Sequence, residues 1–175
     1  MNIFYNFPEN IYLIYRFTLC YLKRREETKV FRDELEVVVK APVEIVWGCF
    51  IDFSRWPEWS QQLAKVRPHT QGWCFRLKAY PKVNWVARAV RLEPPTLLEF
   101  CGVEQDDHTL ELSGTLRLQE VPEGTCVWLE YTARPSHKTL LGHLEDLLSS
   151  IFGEPNKIIG EILEEFKREA ERRAR

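Results

Sequence analysis

The order of elements around residues 35–59 restricts this chain more than any single residue does. Leu35-Glu-Val-Val-Val-Lys40 alternates between apolar and polar or smaller positions and predicts a strand. Pro42 follows at once and suits a first helical turn, where its missing N–H costs nothing. Ile45, Val46, Cys49 and Phe50 then recur at helical spacing, and Asp52 is a candidate cap for a second short helix carrying Trp56, Pro57 and Trp59. A strand, two short helices, a series of strands and a long final helix leave few architectures open.

From Leu63 onward the sequence predicts an antiparallel meander with short connections. The expected strands are Leu63–Thr70, Trp73–Tyr80, Val83–Leu92, Leu97–Gly102, Thr109–Gln119 and Thr125–Arg134. Period-two alternation places Trp73, Phe75, Leu77 and Ala79 on one face, opposite Arg76, Lys78 and Tyr80. The same rule groups Leu98 with Phe100, then Leu110, Leu112, Gly114, Leu116 and Leu118, then Val127, Leu129 and Tyr131. Val83–Leu92 is mixed on both faces, so its phase stays open, and a bulge could flip any of these assignments. Gly114 in mid-strand hints at a bend. The apolar face needs a cover, and residues 136–175 supply one. Ser136 is a candidate N-cap, and Leu140, Leu144, Leu147, Leu148, Ile151, Ile158, Ile159, Ile162, Leu163 and Phe166 recur at helical spacing. Gly153-Glu-Pro155 interrupts that pattern and predicts a break or kink.

Several of these residues also carry a family likeness. Ala41-Pro42 with Val46-Trp47, and Asp52-Phe53 with Trp56-Pro57 and Trp59, resemble the SRPBCC (START-like) superfamily, the polyketide cyclase/dehydrase and lipid transport group. Trp85 in mid-strand, Glu93-Pro94, Gly124-Thr125 and Phe166-Lys167 continue the resemblance, which runs from Glu34 to Glu171. That group includes coenzyme Q-binding START-domain proteins. The resemblance implies an α+β helix-grip fold: a curved antiparallel sheet of about seven strands wrapped around a long C-terminal helix, with two short helices after the first strand. It also implies a deep cavity for a hydrophobic ligand between sheet and helix. Residues 1–32 then form an N-terminal extension that reads as helical, and residues 33–175 form the domain.

The bulk properties exclude other classes. A net charge of −2 gives no reason to expect nucleic acid as a partner. The five cysteines are scattered, without C-x-x-C or zinc-like Cys/His spacing, and read as reduced packing residues of a cytoplasmic protein. The apolar run at residues 11–22 holds Arg16 and is too short to span a bilayer. With Lys23-Arg24-Arg25 it could lie on a membrane surface, giving peripheral contact through residues 11–25. A helix docked on the domain, or residues upstream of the true start, are the plainer readings.

Trp73, Phe75, Trp85, Phe100, Leu112, Leu129 and Tyr131 from the sheet, with Leu144, Leu148 and Ile159 from the helix, are the candidate ligand-binding residues. As a set they read either as a greasy pocket with few polar anchors or as an ordinary core. No residues are assigned to catalysis, and no cofactor or metal is expected, since no Ser-His-Asp order, nucleotide-binding glycine loop or metal-ligand cluster stands in the sequence. His69, His108, His137 and His143 read as surface or cap residues. Three functions remain open: binding or transfer of a lipid, quinone, isoprenoid or pigment, with the Gly153–Pro155 break as its gate; a polyketide cyclase/dehydrase-like enzyme; and a protein–protein interaction module. The enzyme reading would gain if a bulge turned Arg88, Arg91 or His108 inward.

Overall fold

The computed structural model describes residues 30–103, 109–135 and 157–175. β1 (Phe31–Val39) leads into α1 (Val43–Ile51), a 3-10 turn (Phe53–Arg55) and the four-residue α2 (Trp56–Trp59). Six strands follow: β2 (Leu63–His69), β3 (Gly72–Leu77), β4 (Asn84–Glu93), β5 (Leu97–Val103), β6 (Leu110–Val121) and β7 (Gly124–Pro135). The last helix, α3, spans Lys157–Arg173. All strand pairs are antiparallel, in the order β1-β7-β6-β5-β4-β3-β2, and the sheet curls as a half-barrel around α3. This is the helix-grip fold. The peptides 11–25, 104–108 and 136–156 lie outside the described residues, and with them the proposed membrane helix, the acidic tip, His108, His137, His143, the Gly153–Pro155 break, Leu144 and Leu148.

Burial follows the alternation where one face of a strand is dry. Leu110, Leu112, Leu116 and Leu118 of β6 are buried, as are Phe75 and Leu77, Leu98, and Val127 and Tyr131. Cys74 and Glu111 sit on the opposite phase yet are buried too. Glu111 is answered from directly across the ladder, where Arg134 Nε and Nη2 donate to its Oε2 at 2.9 and 2.6 Å. The strand beginning near Trp73 stops at Leu77, short of Tyr80. Val83 N–H donates to Tyr80 O and Lys78 N–H to Gln62 O, so the chain turns there. Ala79 therefore lies outside the strand's inner row, and Tyr80 packs against a buried cluster instead of standing on the outer face.

β4 explains its own ambiguity. Ala89 pairs with Phe100, Arg91 with Glu99 and Leu92 with Leu98, so Val90 is an extra, bulged residue. Odd positions (Ala87, Ala89) share the phase of Phe100 on β5 before the bulge, as Trp85 opposite Phe75 of β3 does, and the even position Leu92 matches Leu98 afterwards. The mixed pattern is two regular patterns out of phase. Gly114 permits close approach: a Cβ there would lie 2.3 Å from Glu130 O and 2.9 Å from Phe100 Cζ. Gly72 and Gly124, at φ +149° and +139°, occupy the hairpin positions where other residues are strained.

α3 is pinned at three points. Ser60 Oγ and Gln61 N–H both donate to the buried Glu165 carboxylate, at 2.7 and 3.0 Å. Lys40 N–H donates to Glu171 Oε1 at 3.0 Å. Glu169 accepts from Arg172 and Arg173, and Arg173 in turn reaches Asp52 at 3.8 Å. Contrary to expectation, Asp52 is no helix cap. Its carboxylate accepts no backbone N–H of the turn that follows and takes the Ser54 hydroxyl at 3.2 Å, while its carbonyl oxygen accepts Arg55 N–H at 3.0 Å.

Candidate ligand cavity

Between the concave sheet, α1–α2 and α3 lies a cavity of about 360 Å3. Its floor comes from the sheet: Trp73, Phe75, Trp85, Phe100, Leu112, Leu129 and Tyr131 all line it. Its roof comes from α3, through Ile159, Ile162, Leu163 and Phe166. Eight of the ten residues singled out in the sequence thus meet on one cavity, and Leu144 and Leu148 are outside the described residues.

One wall was missed. Phe50, Phe53, Trp56 and Trp59 also line the cavity, and their three-residue spacing is visible in the sequence, where Trp56 and Trp59 are assigned to a short helix and not to the ligand site. A helix or 3-10 turn stacks such positions on one side. Their rings form a belt that continues onto the sheet. Phe50 meets Trp56 at 5.1 Å, Phe53 meets Trp73 at 5.5 Å, and Trp56 meets Phe75 at 5.8 Å between centroids. Phe75 and Trp85 then stack at 5.2 Å with planes 10° apart, while Phe166 of α3 closes onto Phe50 at 5.5 Å. Ring pairs of this kind add about 0.5–1.5 kcal/mol each beyond burial. They brace the rings against each other, so the wall does not depend on filling the space beside it.

Polar groups are few. Tyr131 is 2% exposed, and burial, with Asp33 directly across the ladder adding to it, pushes its phenol well above the ordinary tyrosine value. At neutral pH it is a proton-bearing phenol. Trp56 Nε1 donates to Phe50 O at 3.0 Å, whereas the buried Trp59 Nε1 has no partner among the described residues. Arg88 borders the cavity, yet it pairs across the ladder with Cys101 on the outward phase, and its Nε lies 3.4 Å from Cys101 Sγ. Arg91 is also outward, held by Glu93 at 2.6 Å and Glu99 at 3.5 Å. Neither arginine's guanidinium is delivered to the interior by the bulge.

The cysteines stay apart from this chemistry. Cys49, Cys74, Cys101 and Cys126 are free thiols, and burial pushes Cys49 up to about 11. His69 Nδ1 accepts from Gln71 N–H at 3.2 Å and so closes the β2–β3 hairpin. On the sheet, among β1, β6 and β7, Trp128 donates to Glu34 and carries Arg117 over its ring at 5.5 Å. No helix among the described residues is long and apolar enough to cross a membrane.

Comparison with known proteins agrees with this architecture. The aromatase/cyclase Zhui from Streptomyces sp. R1128 superposes with a TM-score of 0.65 at 17% identity, over 84% of this chain and 97% of that one. The protein TTHA0849 from Thermus thermophilus gives 0.64 at 17% identity, over 84% and 100%. The di-domain ARO/CYC StfQ of the steffimycin biosynthetic pathway gives 0.62 at 17% identity, over 87% of this chain and 55% of its own. At these identities the likeness is one of fold. A search of curated protein sequences returned no match. The sequence model described as "Polyketide cyclase / dehydrase and lipid transport", however, matches residues 31–171, from the first residue of β1 to the last turn of α3. The chain belongs to that family.

Proposed function

We propose that this chain binds a hydrophobic small molecule between its sheet and α3, as a binding or transfer module. The observation that carries the reading is the cavity of about 360 Å3 walled by a continuous aromatic and aliphatic surface. Its volume lies within the range of small-molecule sites. Burial of apolar ligand surface, at roughly 25 cal/mol per Å2, would supply most of the affinity. Trp73, Phe75, Trp85, Phe100, Leu112, Leu129, Tyr131 and Ile159 would contact the ligand, together with the Phe50–Trp59 aromatic row. A lipid, isoprenoid, pigment or quinone fits this chemistry, and neither the family match nor the structural neighbours single out a quinone.

Native mass spectrometry of the full chain, followed by organic extraction, tests the reading. The expected result is a stoichiometric apolar molecule that leaves on extraction and rebinds. A chain that carries nothing and takes up no lipid or isoprenoid would refute it.

One observation favours a second reading, a cyclase/dehydrase-like enzyme: Tyr131, which carries a hydroxyl, is among the residues that line the cavity. Its raised pKa suits a hydrogen-bond donor that orients a carbonyl, and unsuits it as a base near neutrality. Conversion of a linear polyketone probe by the unaltered chain, lost in Tyr131→Phe, would favour this reading over simple carriage. The cavity itself argues against an interaction module, which a filled core would serve as well.

A further inference from the structure

Most of the cavity wall is hidden from solvent, with two notable exceptions among its large apolar residues. Ile51, the last residue of α1, is 41% exposed, and Leu92, just beyond the β4 bulge, is 51% exposed. Among the described residues only Val30 and Val90 are comparably exposed hydrophobics, and neither touches the cavity. Side chains that reach both the interior and solvent mark a mouth.

The bulge decides what stands at that mouth. If β4 ran through Val90 as a regular, unbulged strand, the inward row Trp85, Ala87, Ala89 would continue to Arg91. The bulge at Val90 instead turns Arg91 outward onto Glu93 and Glu99 and brings Leu92 into line with Leu98 on the cavity side. An arginine at that position would place a charge on the path of an apolar molecule and penalise its passage.

We propose that ligand enters and leaves sideways, between the C-terminus of α1 and the bulged part of β4, with Ile51 and Leu92 as the lips of the portal. The proposal rests on the reading that the cavity holds a ligand, and the test separates the two. Nile red, a neutral hydrophobic dye, is mixed with the full chain by stopped flow, and its association and dissociation rates are read from fluorescence. Ile51→Trp and Leu92→Trp narrow the portal at solvent-reaching positions and leave the deep wall intact. Both rates are expected to fall together by about tenfold, with Kd within about twofold, because a lip raises the barrier for both directions of passage. Val90→Trp, on the exposed bulge, is expected to leave both rates unchanged. Unchanged rates in both lip variants, or a weakened Kd with an unchanged association rate, would overturn the portal while leaving the cavity reading intact. Absence of saturable Nile red binding by the unaltered chain would overturn both.

Discussion

Replacing Glu169 by Gln tests how α3 is held over the cavity. Its carboxylate is buried and accepts three hydrogen bonds of 2.7 Å, two from Arg172 and one from Arg173. Those bonds, chiefly the pair from Arg172, hold the carboxyl down at about 2 against an ordinary 4.5, even though burial opposes the shift. Glutamine keeps the shape and one acceptor but removes the charge. The Arg172 share is small, because that guanidinium is 66% exposed and water replaces the lost partner. Arg173 is only 21% exposed and retains Asp52, 3.8 Å away. The net cost is therefore about 1–2 kcal/mol, below that of stripping a fully buried pair. In a domain of this size that lowers Tm by about 3–6 °C. The sign with pH follows from the lowered value: the stabilisation is present above about pH 4.5 and is lost as pH falls towards 2. Thermal melts of both proteins between pH 7 and pH 2 should converge at the acid end. Equal Tm values at pH 7, or a gap that persists unchanged to pH 2, would refute the reasoning.

Two further predictions concern the sheet. Gly114→Ala should destabilise by about 1–3 kcal/mol, the usual range for overpacking, because its Cβ would meet Glu130 O at 2.3 Å. Denaturant unfolding reads this directly, and a neutral result would mean that β6 and β7 part more easily than their ladder suggests. Tyr131, its pKa raised by burial and by Asp33, holds its proton in the folded state at pH values where the unfolded chain has released it. Stability should therefore fall as pH rises past about 10, and Tyr131→Phe should flatten that limb of a chemical-denaturation profile.

How much of this was legible depends on what each residue has to signal. β6 was readable because its leucines, Leu110, Leu112, Leu116 and Leu118, all fall on one phase and are buried, even though Glu111 on the other phase is buried as well. β4 was not, since one inserted residue at Val90 shifts the phase and composition carries no mark of the insertion. The strand at Trp73–Leu77 was placed correctly and ended too late, because Lys78-Ala79-Tyr80 prolongs the alternation while the hydrogen bonds turn away. The cavity itself was the hardest feature to read. Phe75, Phe100 and Leu112 have the same chemistry whether they touch one another or a ligand, so residue type alone cannot separate a wall from a core.

What separates them is geometry together with cost. An apolar cavity of about 360 Å3 without contents leaves its wall atoms short of packing partners. Water is a poor tenant, because it needs two to four polar partners and these walls are hydrocarbon and aromatic ring. Collapse is the other escape, and the rings resist it. Phe53, Trp56, Phe75 and Trp85 are braced sideways against one another, so closing the space would break those contacts before new ones formed. A wall that neither collapses nor hydrates well is best stabilised by an apolar guest. The mouth at Ile51 and Leu92, exposed and free of inward charge, is then the expected companion of the cavity, since a guest of that kind must also be able to arrive and leave.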